Sequence, residues 1–217
     1  MRHFALQIAS YLERLGVKLI VIACNSASAA ALLDVQRACR VPVIGVIEPG
    51  ARGAVMATDN RRIGVIGTEI TVRSRAYRRA ILALDAGAHV FSRACPTLVE
   101  RVEQGEVEGP RVEEEVRDYL RPLLRRGIDT LILGCTHYPL LQPLIARVAG
   151  EDVTIINSAE EVAREVEEKL RRRDHLRASA SPPHYRFLFT GDVGQAQRLG
   201  RVFMGPELRE VERVVLR

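Results

Sequence analysis

Short runs of β-branched and other apolar residues alternate along the chain with stretches whose apolar positions recur at helical spacing. The runs VKLIVIA (17–23), VPVIGVI (41–47), RIGVIG (62–67), HVF (89–91), TLILG (130–134), VTIIN (153–157) and RFLFT (186–190) read as strands. Most are continuously apolar, which suits parallel strands covered on both faces. Helices are predicted over 26–39, 70–84, 111–126, 139–149 and 158–172, the last opened by Ser158 and Glu161 in a capping-box arrangement. The segment from Arg171 to His184, with RRR and SASPP, reads as an exposed loop. Strand–helix alternation predicts an α/β fold with parallel sheets.

An internal repeat divides this pattern. VKLIVIACNSASAAAL and IDTLILGCTHYPLLQPLI share a plan: an apolar strand, a small residue, Cys, two polar residues, then a helix. Each is followed by another strand and helix, VPVIGVIEPGA in one case and VTIINSAEEVA in the other. The expectation is two similar doubly wound lobes with parallel sheets, each placing one Cys at the carboxyl end of a strand, where open α/β sheets bind ligands. The first lobe should take residues 1–48 and 158–217, and the second residues 49–157. The repeats are unequal in what precedes the cysteine. The second lobe's glycine-bearing strand begins at Ile63, 72 residues before Cys135, whereas only 23 residues precede Cys24. The difference exceeds one βαβ unit of roughly 30 residues, so the first lobe is expected to be N-terminally incomplete.

Composition narrows the function classes. A hydrophobic content of 47% and a charged content of 27% are ordinary for a globular protein. No apolar run reaches the length of a membrane span, and the N-terminus, MRHFALQIASYLERLG, is an amphipathic helix pattern broken by charge instead of a secretory signal. A cytoplasmic protein without a membrane partner is expected. The net charge of +5 raises nucleic acid as a partner. Yet the basic residues are nearly all arginines that alternate with glutamates along helices, as at Arg164 and Glu168, and few aromatics are present to stack on bases. Solvated helix faces explain them better, and no nucleic-acid partner is expected. The four cysteines, at 24, 39, 95 and 135, lie far apart and include no C-x-x-C pair, which argues against a disulfide framework.

The chemistry is concentrated in A-C-N-S at 23–26 and G-C-T-H-Y-P at 134–139. Each Cys falls where a strand gives way to a helix, so backbone N–H groups and the helix dipole should favour thiolate and lower its pKa. Asn25, Ser26, Thr136 and His137 add groups able to hold a carboxylate, and His137 can exchange a proton near neutral pH. Two thiols facing each other across a ligand suit a two-base proton transfer, one removing a proton from carbon and the other returning one to the opposite face. A lone buried Cys is ordinarily packing, but both of these are followed by polar residues that packing does not require. A zinc site lacks its third and fourth ligands, and a Cys-His nucleophile of hydrolase type leaves the second Cys unexplained. Cys39, at a helix end, and Cys95, before Pro96, read as structural.

These residues carry a resemblance to the bacterial glutamate racemase family. The matching segments are ACNSASA (23–29), GVIEPG (45–50), IGVIGTEITVRSRAY (63–77), ACPTLVERVEQG (94–105), LGCTHYPLL (133–141) and FTGD (189–192), in the family's order. FTGD favours the glutamate enzymes over their aspartate and hydantoin racemase relatives. The resemblance implies a pair of α/β lobes closing on free glutamate without pyridoxal phosphate, other cofactor or metal, a homodimer, and a supply of D-glutamate for peptidoglycan. By analogy Cys24 acts on the α-proton of the D-enantiomer and Cys135 on that of the L-enantiomer, with His137 assisting Cys135. Asn25, Ser26, Thr68, Thr71, Thr136 and His137 would bind substrate, and Glu103 corresponds to an acidic residue near that histidine.

The resemblance also implies a leading strand, an Asp-Ser-Gly-x-Gly-Gly loop and a Tyr-Gly segment that do not occur in these 217 residues, and Ser26 stands where Thr is usual. Two alternatives therefore stand beside an active glutamate racemase. One is an inactive or weakly active truncated fragment; the other is a related racemase acting on another small amino acid.

Overall fold

A computed structural model describes residues 1–179 and 181–216. In chain order, Arg2–Arg14 forms α1, Ile20–Ile22 β1, Asn25–Ala38 α2, Val43–Gly45 β2 and Ile47–Ala57 α3. Arg62–Gly67 forms β3, Glu69–Ser74 α4, Ala76–Leu84 α5, His89–Ala94 β4, Thr97–Glu103 α6, Pro110–Leu124 α7, Thr130–Gly134 β5 and Gln142–Ala149 α8. Thr154–Ile156 is β6, Ser158–Arg172 α9, Phe187–Phe189 β7, Val193–Met204 α10 and Val211–Arg213 β8.

The strands form parallel sheets. β1 pairs with β2, the order β4-β3-β5-β6 makes a second sheet, and β7 pairs with β8. The continuous apolar runs are explained by helices on both faces. In β3 and β5, Ile63, Val65 and Ile132 point into a cluster with α3 and α5, while Ile66, Leu131 and Leu133 point into one with α6, α7 and α8. The side-chain period of two thus sends neighbouring apolar residues to opposite cores. In β2, Val43 joins α1 and α2 on one face, and Ile44 joins α3 and Val162 of α9 on the other. The cluster containing Ile44 also holds Ile63 and Val65, so a single core spans the two sheets. Among the described residues β1 has one neighbour only, and Val21 upon it is exposed.

Several local expectations need correction. The helix expected over 70–84 is two, broken at Arg75, which adopts a left-handed φ of 55°. The cap of α9 is Asn157, whose side chain accepts the Ala159 N–H, while Ser158 is buried as the first helical residue. Arg164 pairs with Glu161, and Glu168 with Arg172; the solvated, charge-laced face stands. Residues 173–179 and 181–186 carry no helix or strand, as expected of the loop, while Ala180 lies outside the described residues.

Two backbone features hold the site end of the larger sheet. Gly67 and Gly134 are register partners at the carboxyl ends of β3 and β5. A Cβ on Gly134 would stand 2.6 Å from the Ile66 carbonyl oxygen, nearer than any real contact, so only glycine permits this approach. At the opposite end, the Asp129 carboxylate accepts from Thr58 Oγ1 at 2.5 Å, from the backbone N–H of Asp59 and Asn60 at 2.7 Å, and from Thr130 Oγ1 at 3.0 Å. Burial alone would raise this carboxyl, but the donors outweigh it and hold it below the usual carboxylate range.

Asp129→Ala is expected to cost about 2 kcal/mol at pH 7, the loss of several bonds to a charged acceptor. Because the folded carboxyl titrates below the unfolded one, this stabilisation is present above pH about 4 and is lost as pH falls through the folded value. Urea midpoints of wild type and variant should converge in acid; a constant gap down to pH about 2 would contradict the assignment.

Candidate active site

Both singled-out cysteines stand where expected. Cys24 follows β1 and caps the N-terminus of α2, and Cys135 follows β5. The turn at Cys24 is held by Ser28, whose Oγ donates to the Ile22 carbonyl at 2.7 Å and receives the Val46 N–H at 3.3 Å, tying α2 to the ends of β1 and β2. The turn at Cys135 runs into a short 3-10 helix, Tyr138–Leu141, anchored by Tyr138, whose hydroxyl donates to the Cys95 carbonyl at 2.8 Å.

The two thiols differ in environment. Cys24 is exposed, whereas Cys135 is buried at 6% relative exposure. They are near enough for charge on Cys24 to raise the Cys135 thiol. Burial is the largest influence on Cys135 and pushes it up from the ordinary thiol range. The backbone N–H groups of His137 and Tyr138 and the Thr136 hydroxyl pull downward, but do not prevail. The expectation of a lowered pKa is therefore wrong for Cys135: four residues of 3-10 helix supply too little dipole to offset desolvation. Cys135 therefore rests as a thiol. His137 is its neighbour, with Nδ1 3.7 Å from Cys135 Sγ and Nε2 3.1 Å from Glu103 Oε1. The sequence separates Glu103 and His137 by 34 positions, and the fold joins them.

Ser26, Thr68 and Thr71 form a hydroxyl cluster. Ser26 Oγ lies 2.7 Å from Thr68 Oγ1 and 3.2 Å from Thr71 Oγ1, with the two threonine oxygens 3.2 Å apart. Ser26 comes from the segment after β1 and the threonines from the segment after β3, so the cluster bridges the two sheets. Thr68 also caps α4 by accepting the Thr71 N–H. A cleft of about 590 Å³ reaches Asn25, Cys135 and Thr136 and continues between Val46 and the apolar face of α9, Val162, Val166 and Leu170. Cys24 lies beside this cleft, in the adjoining depression under α1. Among the described residues, no three His, Cys, Asp or Glu side chains gather as a metal-holding group.

Two further residues were not singled out from the sequence, although Tyr77 closes the matching segment IGVIGTEITVRSRAY (63–77). Tyr77, fully enclosed on α5, donates its hydroxyl to Asn25 Oδ1 at 2.7 Å. Phe203 of α10 meets the His137 ring edge-on, with centroids 5.1 Å apart. Asp192 of the FTGD segment is the cap of α10, accepting the Gln195 N–H at 2.6 Å, so that motif sets the helix that delivers Phe203. Of the other cysteines, Cys95 is buried, which pushes its thiol up to about 12, and Cys39 ends α2.

The family model for Asp/Glu/hydantoin racemase matches residues 2–166. A glutamate racemase of Beutenbergia cavernae is 47% identical over 99% of this chain and 77% of its own length. One of Geobacter metallireducens is 43% identical over 98% of this chain and 79% of its own. Among solved structures, the glutamate racemase isoform RacE1 of Bacillus anthracis superposes with a TM-score of 0.91 at 41% identity, covering all of this chain and 80% of that one. The Francisella tularensis glutamate racemase in complex with D-glutamate gives 0.90 at 33% identity, with 99% and 80% covered.

The difference in exposure predicts the order of alkylation. In the folded protein at pH 8, iodoacetamide should modify Cys24 well before Cys135 and Cys95, read by peptide mass spectrometry; equal rates at Cys24 and Cys135 would contradict the arrangement.

Proposed function

The chain belongs to the Asp/Glu/hydantoin racemase family and is an amino-acid racemase, and from this premise we propose that it interconverts L- and D-glutamate by a two-thiol proton transfer. The observation that carries the reading is the pair Cys24 and Cys135, each at the carboxyl end of a parallel strand in a different sheet. The lobes of this scheme are residues 1–48 with 158–217, and residues 49–157. Glutamate lies between them, its carboxylates receiving hydrogen bonds from the Ser26, Thr68, Thr71 and Thr136 hydroxyls and the Asn25 amide.

In the L-to-D direction, the Cys135 thiolate takes the α-proton. The C–H electron pair moves into the carboxylate as an enolate-like carbanion, and the Cys24 thiol returns a proton to the opposite face. The burial of Cys135 makes its thiolate costly in the empty site, so His137 must receive the thiol proton, with Glu103 stabilising the imidazolium. Desolvation that hinders ionisation also strengthens the thiolate as a base once it forms. In a bacterial cytoplasm the D-glutamate formed would serve peptidoglycan synthesis, and the racemase would act as a homodimer without cofactor.

Replacing either thiol should remove racemisation and leave exchange on one side. Cys24→Ala is expected to lose at least about a thousandfold in racemisation, the scale of a missing acid/base group, yet still exchange the α-proton of L-glutamate with deuterated solvent. Cys135→Ala should show the mirror result with D-glutamate. NMR of both enantiomers reads the outcome, and undiminished racemisation by either variant would falsify the two-thiol mechanism.

A further inference from the structure

Tyr77 is a buried polar side chain, bonded to a residue that lines the cleft, that the proposed chemistry leaves unused. It stands on α5, yet it reaches three segments that the chain delivers separately. Its hydroxyl donates to Asn25 Oδ1 at 2.7 Å, directly after Cys24. Its ring stands against Gly134, directly before Cys135, where a Cβ would lie 3.2 Å from Cε2. Its oxygen also lies beside Gly50 of α3, where a Cβ would stand 3.3 Å from it and 3.1 Å from Ser158 Cβ.

The consequence for Asn25 follows from counting protons. An amide group can face the cleft with its oxygen or its nitrogen, and the two shapes are nearly identical. Tyr77 has one proton and is 2% exposed, and burial pushes its ionisation upward, so it stays a phenol. Among the described residues the phenol's one hydrogen-bond partner is Asn25 Oδ1, at 2.7 Å, so its proton is committed there. Nδ2, which carries two donors, is then left for the cleft that Asn25 lines. Without the phenol the amide has no fixed reason to present its donor side, and a carboxylate meets an oxygen in the wrong orientation. We propose that Tyr77 is a positioning residue: through its hydroxyl it locks the Asn25 carboxamide with Nδ2 towards the cleft, selecting a carboxylate as what binds beside Cys24. The inference rests on the reading that Asn25 holds the substrate glutamate.

Glutamate dissociation constants for both enantiomers, kcat and thermal midpoints of the whole chain test it in a mutant cycle. Tyr77→Phe removes one oxygen and keeps the ring against Gly134. It should weaken glutamate binding about tenfold, change kcat less, and leave Asn25→Ala no worse when the two are combined. If Asn25→Ala weakens binding and Tyr77→Phe does not, the positioning role fails while Asn25 keeps its place in the site. If neither weakens binding, the assignment of Asn25 to substrate fails and takes this inference with it. Losses that multiply in the double variant show the hydroxyl acting elsewhere and overturn the proposal. Asn25→Asp supplies an independent arm that leaves Tyr77 intact. With Nδ2 facing the cleft, it puts negative charge against the ligand and should bind glutamate more weakly than Asn25→Ala; equal or tighter binding overturns the orientation.

Discussion

The close approach of two backbones at Gly67 and Gly134 is the constraint on which the site depends. These residues end β3 and β5 in register, and a single Cβ on Gly134 would drive into the Ile66 carbonyl. Thr68 follows the first glycine and Cys135 the second, so the hydroxyl cluster and the buried thiol inherit their positions from this contact. The absence of a side chain also leaves the space into which the Tyr77 ring fits. Strand ends that must lie this close fix the chemistry displayed beyond them to within the tolerance of a hydrogen bond.

A second constraint opposes the first. Placing a thiol at the end of a fully buried strand protects it from water and also withholds the solvation that a thiolate needs. At Cys135 the local donors are outweighed by desolvation. The His137–Glu103 pair stands beside the thiol, and Phe203 meets the imidazole from a segment remote in sequence. The site is therefore assembled from both sheets and from α10. Its polar groups are shared across boundaries instead of belonging to one lobe.

How much of this was legible in the sequence varies with the physics of each element. The central strands were plain because continuous apolar runs admit few other readings, and β3 and β5 have the expected bounds. The helix α3 was hidden: IEPGARGAVMA holds one proline and two glycines, which oppose a helix by propensity. Pro49 is tolerated in the first turn, and Gly50 and Gly53 let α3 press on Tyr77, Ser158 and Glu161. Tertiary packing overrode local preference there. The seven-residue α6 and the three-residue β8 are too short to show a period. The two thiols and their polar neighbours were readable from the repeat, because a packing cysteine has no need of them. Phe203 was not, and Tyr77 showed only as the last residue of a matching segment, since an aromatic at a helical position reads as core whether or not its edge or hydroxyl meets a polar group. The sign of the Cys135 shift was misjudged because spacing reveals a helix start but not how deeply it is buried.

Under the proposed two-thiol transfer, the unequal exposure of Cys24 and Cys135 would give the molecule a short memory of direction. A proton left on Cys24 would meet solvent at once and be indistinguishable from any other. One left on Cys135 would be sheltered, with the His137 imidazole 3.7 Å away as its neighbour. After each turnover the empty protein would stand in one of two protonation forms, each ready for one enantiomer. Their interconversion would run at the pace of that sheltered exit. At high substrate concentration, resetting the empty protein would become a step in its own right, governed by residues that touch no carbon of the ligand.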